Sequence, residues 1–153
     1  MSLYELLHQL NIPYQEVSHA AVYTIEEAER LQIDLPGVEV KNLFVKDKTH
    51  NFLYCLPAQK RADLKSLRKT IESGALTFAR EDELLEKLGL TAGSVTPLGL
   101  VNNNQHDVIL LIDGELLGLT VWVHPNTNTK TMSLPLDDLL RLMEYLHVQV
   151  QFV

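Results

Sequence analysis

The chain has 153 residues, of which 46% are hydrophobic and 22% are charged, and these values are typical of a single globular domain spanning residues 1–153. No apolar run approaches the roughly 20 residues of a membrane-spanning helix, and the N-terminal residues lack the basic and then apolar pattern of a secretion signal. Both observations argue against a membrane protein, and the cytoplasm is the expected location.

The net charge of -7 opposes the binding of long stretches of nucleic acid, but the charges are unevenly distributed. Residues 41–69 contain two acidic residues and eight basic ones, which are Lys41, Lys46, Lys48, Lys60, Arg61, Lys65, Arg68 and Lys69. The remainder of the chain is strongly acidic. Such a segment can bind one polyanion locally while the rest of the surface repels it, although a solvated surface gives the same pattern.

The N-terminal part predicts a helix, a short strand and a second helix. Leucines recur at i, i+3, i+4 and i+7 over residues 2–10, behind a serine and a glutamate at the spacing of a capping box. Residues 14–18 form the strand candidate. A second capping-box pair begins an acidic helix over residues 24–35, with Ile25, Ala28 and Leu31 on its apolar side, and Pro36-Gly37 ends it.

The middle of the chain predicts two buried strands followed by alternating helical and extended segments. Residues 43–45 and 52–56 are apolar and are separated by a polar turn. Helices are expected over residues 63–71 and 80–88, with a short strand at residues 76–79 between them.

The C-terminal part predicts three strands, over residues 98–101, 108–112 and 119–123. A strong amphipathic helix over residues 136–146 follows, and alternation over residues 148–152 indicates a closing strand. The mixed order of helices and strands predicts an α/β or α+β domain with a mixed or antiparallel sheet.

Several kinds of catalytic chemistry find no support in the sequence. The six histidines lack the spacing of zinc ligands, and no phosphate-binding loop is present. Ser94 does not lie in the G-x-S-x-G pattern of a serine nucleophile. The only cysteine, Cys55, lies in an apolar run, which favours a buried thiol. A zinc site is therefore not expected, and an enzyme would act through positioning and electrostatics.

Three polar segments remain as site candidates. Lys41-Asn42 precedes a buried strand and places a cation and an amide at one end of the sheet, unless Lys41 is only a solvated turn residue. The loop Gly93-Ser94-Val95-Thr96-Pro97 can present backbone N–H groups to an oxyanion, although an ordinary turn fits equally well. His124-Pro125 follows a strand and precedes Asn126, Asn128 and Thr129, as a loop cap or as part of a site.

These segments, in this order and spacing, resemble the YbaK/prolyl-tRNA synthetase-associated editing-domain family. The resemblance rests on residues 41–47, on residues 93–100, and on His124-Pro125 with residues 128–131, and it extends over nearly the whole chain. The chain most resembles the free-standing branch that removes alanine mischarged onto proline tRNA. The resemblance implies a mixed, mostly antiparallel sheet flanked by helices, no metal, no cofactor, and hydrolysis of the ester between the amino acid and the terminal adenosine.

The resemblance also implies roles for individual residues. Lys41 matches the essential lysine, which holds the terminal phosphate or polarises the substrate, and Asn42 matches a substrate-positioning residue. The loop matches the segment whose backbone donors hold the aminoacyl carbonyl, with Gly93 and Ser94 as catalytic residues and Val95, Thr96 and Pro97 as substrate-binding ones. His124 matches a position that shapes the amino-acid pocket, and Asn128 and Thr129 belong to the same loop. Lys130 stands where relatives often carry a small residue.

The implied partner is the acceptor end of a tRNA, with proline tRNA expected and with association with prolyl-tRNA synthetase as a further possibility. Three alternatives stay open. They are a deacylase for another mischarged amino acid such as cysteine or serine, a non-catalytic tRNA-binding module of the same fold, and a scaffold that binds a synthetase through the acidic helix at residues 24–35.

Overall fold

The computed structural model describes residues 1–21 and 24–153, and of Ile25, Ala28 and Glu29 only the backbone. Within these residues, eight strands form one sheet, and their bounds are β1 Gln15–Ser18, β2 Val38–Lys46, β3 Asn51–Pro57, β4 Thr77–Phe78, β5 Val108–Ile112, β6 Thr120–Val123, β7 Lys130–Pro135 and β8 Val150–Phe152. The helices are α1 Leu3–Gln9, α2 Ile25–Arg30, α3 Leu64–Ile71, α4 Glu81–Leu88 and α5 Leu136–Tyr145.

The sheet is mixed, as the sequence predicts. Its strand order is β1-β7-β6-β2-β3-β5-β8, and β4 pairs with the end of β2. The pairs β1–β7, β7–β6, β2–β3 and β2–β4 are antiparallel, whereas β2–β6, β3–β5 and β5–β8 are parallel. The expected mixed, mostly antiparallel sheet flanked by helices is confirmed.

The two faces of the sheet carry different environments, because successive side chains of a strand point to opposite sides. One face, which we call the core face, packs against α1, α4 and α5 around fully buried residues such as Leu7, Leu53 and Leu139. The other, which we call the cleft face, packs against α3 around Val45 and Leu56. Burying one such leucine contributes roughly 1.5–3 kcal/mol, so both clusters stabilise the sheet.

Local chemistry explains where the helices begin. The Ser2 hydroxyl accepts a hydrogen bond from the Glu5 amide at 3.1 Å, and the Thr24 hydroxyl accepts one from the Glu27 amide at 3.1 Å, which confirms both predicted caps. The second helix is shorter than predicted and ends at Arg30. The apolar side predicted for it rests partly on the Ile25 and Ala28 side chains, which lie outside the described part of the chain.

One prediction about the C-terminal half is wrong, and one strand has no counterpart among the predicted elements. Residues 98–101 do not form a strand, because Thr96 caps and Pro97 begins a 3-10 helix over Pro97–Asn102. The strand without a counterpart is β7, which begins at Lys130, directly after the polar loop that follows His124. Thr131 and Ser133 of β7 are buried on the cleft face although they are polar, so the segment lacked the apolar signal of an inner strand.

Cys55 is fully buried on the core face, as predicted. Burial raises the pKa of its thiol to about 12, with a small further increase from the charge of Asp113. The thiol is therefore protonated at neutral pH and cannot act as a nucleophile. In the part of the chain that the structure describes, no helix has the length and apolar character needed to span a bilayer.

Candidate active site

A small cavity opens where two parallel strands stop pairing. β2 and β6 pair over only two positions, Val38 with Val121 and Glu39 with Trp122, and their described residues continue the ladder no further. Past this point a cavity of about 170 Å³ lies between the strands, and its lining includes Lys41, Asn42, Gly93, Val95, His124 and Thr131. Residues from all three predicted site segments therefore meet in one place.

Lys41 lies on the cleft face of β2. Its side chain is half-buried, and it points to the same side as Leu43, which packs in the second cluster. None of the ion pairs within the described residues includes the Lys41 ammonium, whereas Lys46 binds Glu83 at 2.8 Å and Lys60 binds Asp113 at 2.7 Å. Among the described residues, therefore, no carboxylate neutralises the Lys41 charge.

Asn42 connects β2 to the loop that follows α4. Its Nδ2 donates to the Val95 carbonyl at 3.5 Å, and its buried Oδ1 has no hydrogen-bond partner among the described residues. Leaving a buried acceptor without a donor costs about 1–3 kcal/mol, so a donor on a bound ligand would relieve this cost. Asn42 thus holds the loop with one amide atom and offers the other as an acceptor.

The loop predicted to hold an oxyanion contributes to the cavity only in part. Gly93 and Val95 line it. The Ser94 side chain is buried, and both its N–H, at 3.0 Å, and its hydroxyl, at 3.3 Å, donate to the Thr91 carbonyl. Thr96 and Pro97 are buried at the start of the 3-10 helix. Ser94, Thr96 and Pro97 therefore lie behind the lining and hold the loop in shape.

His124 extends from the end of β6 into the cavity. Its Nδ1 lies 2.9 Å from the Lys130 carbonyl, and because a carbonyl can only accept, Nδ1 carries the proton. Burial lowers the pKa of His124, the hydrogen bond to Lys130 opposes this change, and the nearby His19 lowers the pKa further. The ring is therefore neutral at pH 7, with an unprotonated Nε2.

Thr131, which lines the cavity, and His19, which contacts it from behind, have no role predicted from the sequence. The His19 Nε2 lies 2.8 Å from the Thr131 hydroxyl, and the His19 Nδ1 lies 2.7 Å from the Ala20 carbonyl. The ring of His19 meets that of His124 edge-on, with centroids 6.4 Å apart. The pairing of β1 with β7 brings these residues together, and a single local sequence pattern does not reveal it.

The geometry agrees with a family assignment. The model of the aminoacyl-tRNA editing domain matches residues 19–142, which include every lining residue named above. The chain belongs to the aminoacyl-tRNA editing family. Editing of an aminoacyl-tRNA is the hydrolysis of the ester that joins a wrong amino acid to the tRNA, so the protein is an aminoacyl-tRNA hydrolase. The resemblance based on three motifs is confirmed.

Individual relatives are similar to this chain over most of its length. The prolyl-tRNA editing protein ProX of Acetoanaerobium sticklandii is 40% identical over 90% of this chain and 86% of that protein. The prolyl-tRNA synthetase associated domain-containing protein 1 of Danio rerio is 39% identical over 93% of this chain and 79% of that protein. A crystal structure of a proposed trans-editing enzyme for prolyl tRNA synthetase superposes with a TM-score of 0.74 at 24% identity, covering 98% and 92% of the two chains, and shows the same fold.

The turn between β6 and β7 supports the cavity from outside. Asn128 and Thr129, both predicted to bind substrate, do not line the cavity in the described structure. The Thr129 carbonyl accepts a hydrogen bond from the His19 amide at 2.8 Å, and its hydroxyl pairs with that of Thr127 at 3.0 Å. This turn therefore fixes the backbone of His19, which contacts Thr131.

A second wall of the cavity comes from the segment after α2. The Pro36 carbonyl accepts hydrogen bonds from Trp122 Nε1 at 2.9 Å and from the Ser133 hydroxyl at 2.6 Å. Both donors lie on the cleft face, next to His124 and Thr131 respectively. We call this arrangement the Pro36 clasp. It fixes the segment that carries Ile33, another lining residue, against the sheet.

The ring of His124 should titrate below the ordinary imidazole value of 6.5. Because the folded state holds fewer protons than the unfolded chain between the two pKa values, the stability that His124 contributes is fully present above pH 6.5 and is lost as the pH falls through the lower pKa of the folded state. Long-range ¹H–¹⁵N NMR spectra should show the Nδ1-protonated tautomer at pH 7. The chain in urea provides the reference titration, and an equal midpoint in both states would contradict the assignment.

Proposed function

We propose that this editing domain acts in trans on mischarged proline tRNA and that alanine is the amino acid it removes. The observation that carries the proposal is the Lys41 ammonium, without an ion-pair partner among the described residues, beside a cavity of about 170 Å³. Sites for drug-sized ligands measure roughly 300–1,000 Å³, so this cavity favours a small aminoacyl group. The names of the two relatives, which refer to prolyl-tRNA editing and to prolyl-tRNA synthetase, support the choice of tRNA.

The placement of the charges supports the following reaction. Lys41 binds the terminal phosphate or polarises the ester carbonyl, and Asn42 positions the substrate together with His124. A water, activated by the neighbouring ribose hydroxyl, attacks the carbonyl carbon. The negative charge that develops on the carbonyl oxygen is stabilised at the Gly93 loop, whose shape depends on Ser94, Thr96 and Pro97. The bond to the ribose oxygen then breaks, which releases the free amino acid and a ribose hydroxyl.

The tRNA acceptor end approaches along the cleft face. Lys65, Arg68 and Lys69 line one groove on the exposed side of α3, and Leu67 packs α3 onto the same face that carries Lys41. By contrast, carboxylates already bind Lys46 and Lys60. A phosphate backbone lying along α3 can therefore deliver its 3′ end to the cavity.

Replacing Lys65 and Lys69 together by Gln should weaken tRNA binding and reduce its dependence on salt. The logarithm of the binding constant should change less steeply with the logarithm of the salt concentration, by roughly 0.7–0.9 for each phosphate that the variant no longer neutralises. The charge-matched control replaces Lys48 and Arg80 by Gln, since both are exposed near the opposite end of β2. Equal salt slopes for the two double variants would remove α3 from the tRNA surface.

Hydrolysis assays with proline tRNA carrying alanine, serine, cysteine or proline test the proposal directly. We expect alanine to be released fastest and proline to be retained. Faster release of serine or cysteine would assign the deacylase to another amino acid. Binding of the tRNA without any hydrolysis would support a non-catalytic module, and capture of prolyl-tRNA synthetase by such an inactive protein would support a scaffold.

We also propose that residues 1–153 act as one editing domain. The family match covers residues 19–142, yet β1 and β8 lie outside that range and pair within the same sheet. Association with prolyl-tRNA synthetase and a cytoplasmic location stay predictions.

A further inference from the structure

A chain of hydrogen bonds determines what Thr131 presents to the cavity. The Ala20 carbonyl can only accept, so the His19 Nδ1 donates to it across 2.7 Å. In the tautomer that carries its proton on Nδ1, the Nε2 atom is unprotonated and accepts the proton of the Thr131 hydroxyl at 2.8 Å. With its proton used in this way, the Thr131 oxygen offers only lone pairs to the cavity that it lines.

His124 presents the same kind of atom beside Thr131. Its Nδ1 proton is donated to the Lys130 carbonyl, so the Nε2 atom of the neutral ring is an acceptor. In addition to Asn42 Oδ1 on β2, the cavity therefore presents one acceptor directly after β6 and one from β7. Lys41 supplies a positive charge on the adjoining part of β2.

We propose that Thr131 Oγ1 and His124 Nε2 bind the α-ammonium group of the aminoacyl ester, and that His19 is a positioning residue that keeps Thr131 an acceptor. An ammonium group has three N–H donors and no acceptor, so it matches a subsite made of lone pairs. Lys41 repels it and attracts phosphate, which orients the substrate along the cavity. This inference rests on the proposed function and specifies how that site recognises its substrate.

The decisive comparison is between tRNA charged with alanine and the same tRNA charged with lactate. The two esters are alike except that a neutral hydroxyl replaces the ammonium group. The unmodified protein should prefer the alanyl ester. Thr131→Val, which keeps the shape of the side chain, should lower kcat/KM for the alanyl ester on the order of tenfold, the effect of removing one hydrogen bond to a charged group, and should change the lactyl ester much less.

Three further variants and a control separate recognition from support of the fold. Thr131→Ser keeps a hydroxyl and should retain the preference for the alanyl ester. His19→Phe removes the acceptor behind Thr131 and should reduce the preference, whereas His19→Gln, whose amide oxygen can accept, should restore part of it. The control is Ser133→Ala, on the same strand and face, because its hydroxyl serves the Pro36 clasp and its removal should affect both esters equally.

An unchanged preference in Thr131→Val would overturn the subsite while leaving the proposed function intact. Failure of the unmodified protein to hydrolyse either ester would overturn the proposed function itself. Equal decreases on both esters in Thr131→Val and in Thr131→Ser would assign Thr131 a purely structural role, and this too would overturn the subsite.

Discussion

Lys41→Met is expected to abolish measurable release of alanine from proline tRNA while leaving the fold intact. Removing one preorganised electrostatic contact to a transition state typically lowers kcat by about 10²–10³-fold. Methionine keeps most of the apolar stem and removes only the charge. Because no ion pair among the described residues involves Lys41, the free energy of unfolding should change by no more than about 0.5 kcal/mol.

The matched control is Lys46→Met, five residues further along the same strand. Lys46 points to the core face and binds Glu83, so the same change there removes an ion pair, whereas no ion pair of the described residues includes Lys41. We expect stability to fall by about 1 kcal/mol in urea unfolding, with a nearly unchanged deacylation rate. Lys41→Arg keeps the charge with a different geometry and should recover only part of the activity. Full activity of Lys41→Met would exclude Lys41 from catalysis.

The elements that could be predicted are those whose apolar pattern matches one buried face. α1 and α5 carry leucines at helical spacing, and β3 and β5 are short apolar runs buried on both sides. The segment at residues 98–101 has the same composition as such a strand but contains no strand signal that distinguishes it from a buried turn. The Thr96 cap and Pro97 make this segment a 3-10 helix. The two residues that precede the apolar segment are therefore more informative about its structure than the apolar residues themselves.

β7 is the opposite case, because it is a strand that the sequence pattern does not predict. Its threonine and serine are buried because they serve partners on the cleft face, Thr131 through His19 and Ser133 through the Pro36 carbonyl. Those partners lie about a hundred residues away in sequence. A pattern that would be read as a polar turn is therefore an inner strand, and this could be known only once the sheet had been assembled.

The site also combines residues that a local sequence pattern reveals with features that exist only in the assembled sheet. Lys41, Asn42, Gly93 and His124 lie in motifs whose order along the chain matches the editing family, and all four line the cavity. The cavity itself exists because β2 and β6 pair at only two positions, a property of the assembled sheet. His19 contributes through the pairing of β1 with β7, so no motif near it indicates a role.

Gly37→Ala should destabilise the fold by about 2–5 kcal/mol and lower deacylation at the same time. Gly37 has a φ of 107°, and a Cβ atom there would lie 2.5 Å from the Thr120 carbonyl oxygen and 2.8 Å from its carbonyl carbon. The backbone strain costs roughly 1–2 kcal/mol, and the displacement of a neighbouring strand adds about 1–3 kcal/mol. Since Pro36 precedes this residue, the shift should open the Pro36 clasp and move the wall that carries Ile33.

Gly118→Ala separates the two contributions. Gly118 also has a positive φ, of 79°, but a Cβ atom there meets no atom within 4 Å, so only the backbone strain of about 1–2 kcal/mol applies. The free energy of unfolding of each variant is measured in urea. The difference between the two losses of stability gives the cost of the clash at Gly37. Deacylation measured where each variant remains folded should fall for Gly37→Ala and stay unchanged for Gly118→Ala, because only the first residue adjoins the wall of the cavity. Equal destabilisation with equal activity would mean that the close approach of Gly37 to β6 does not position the site.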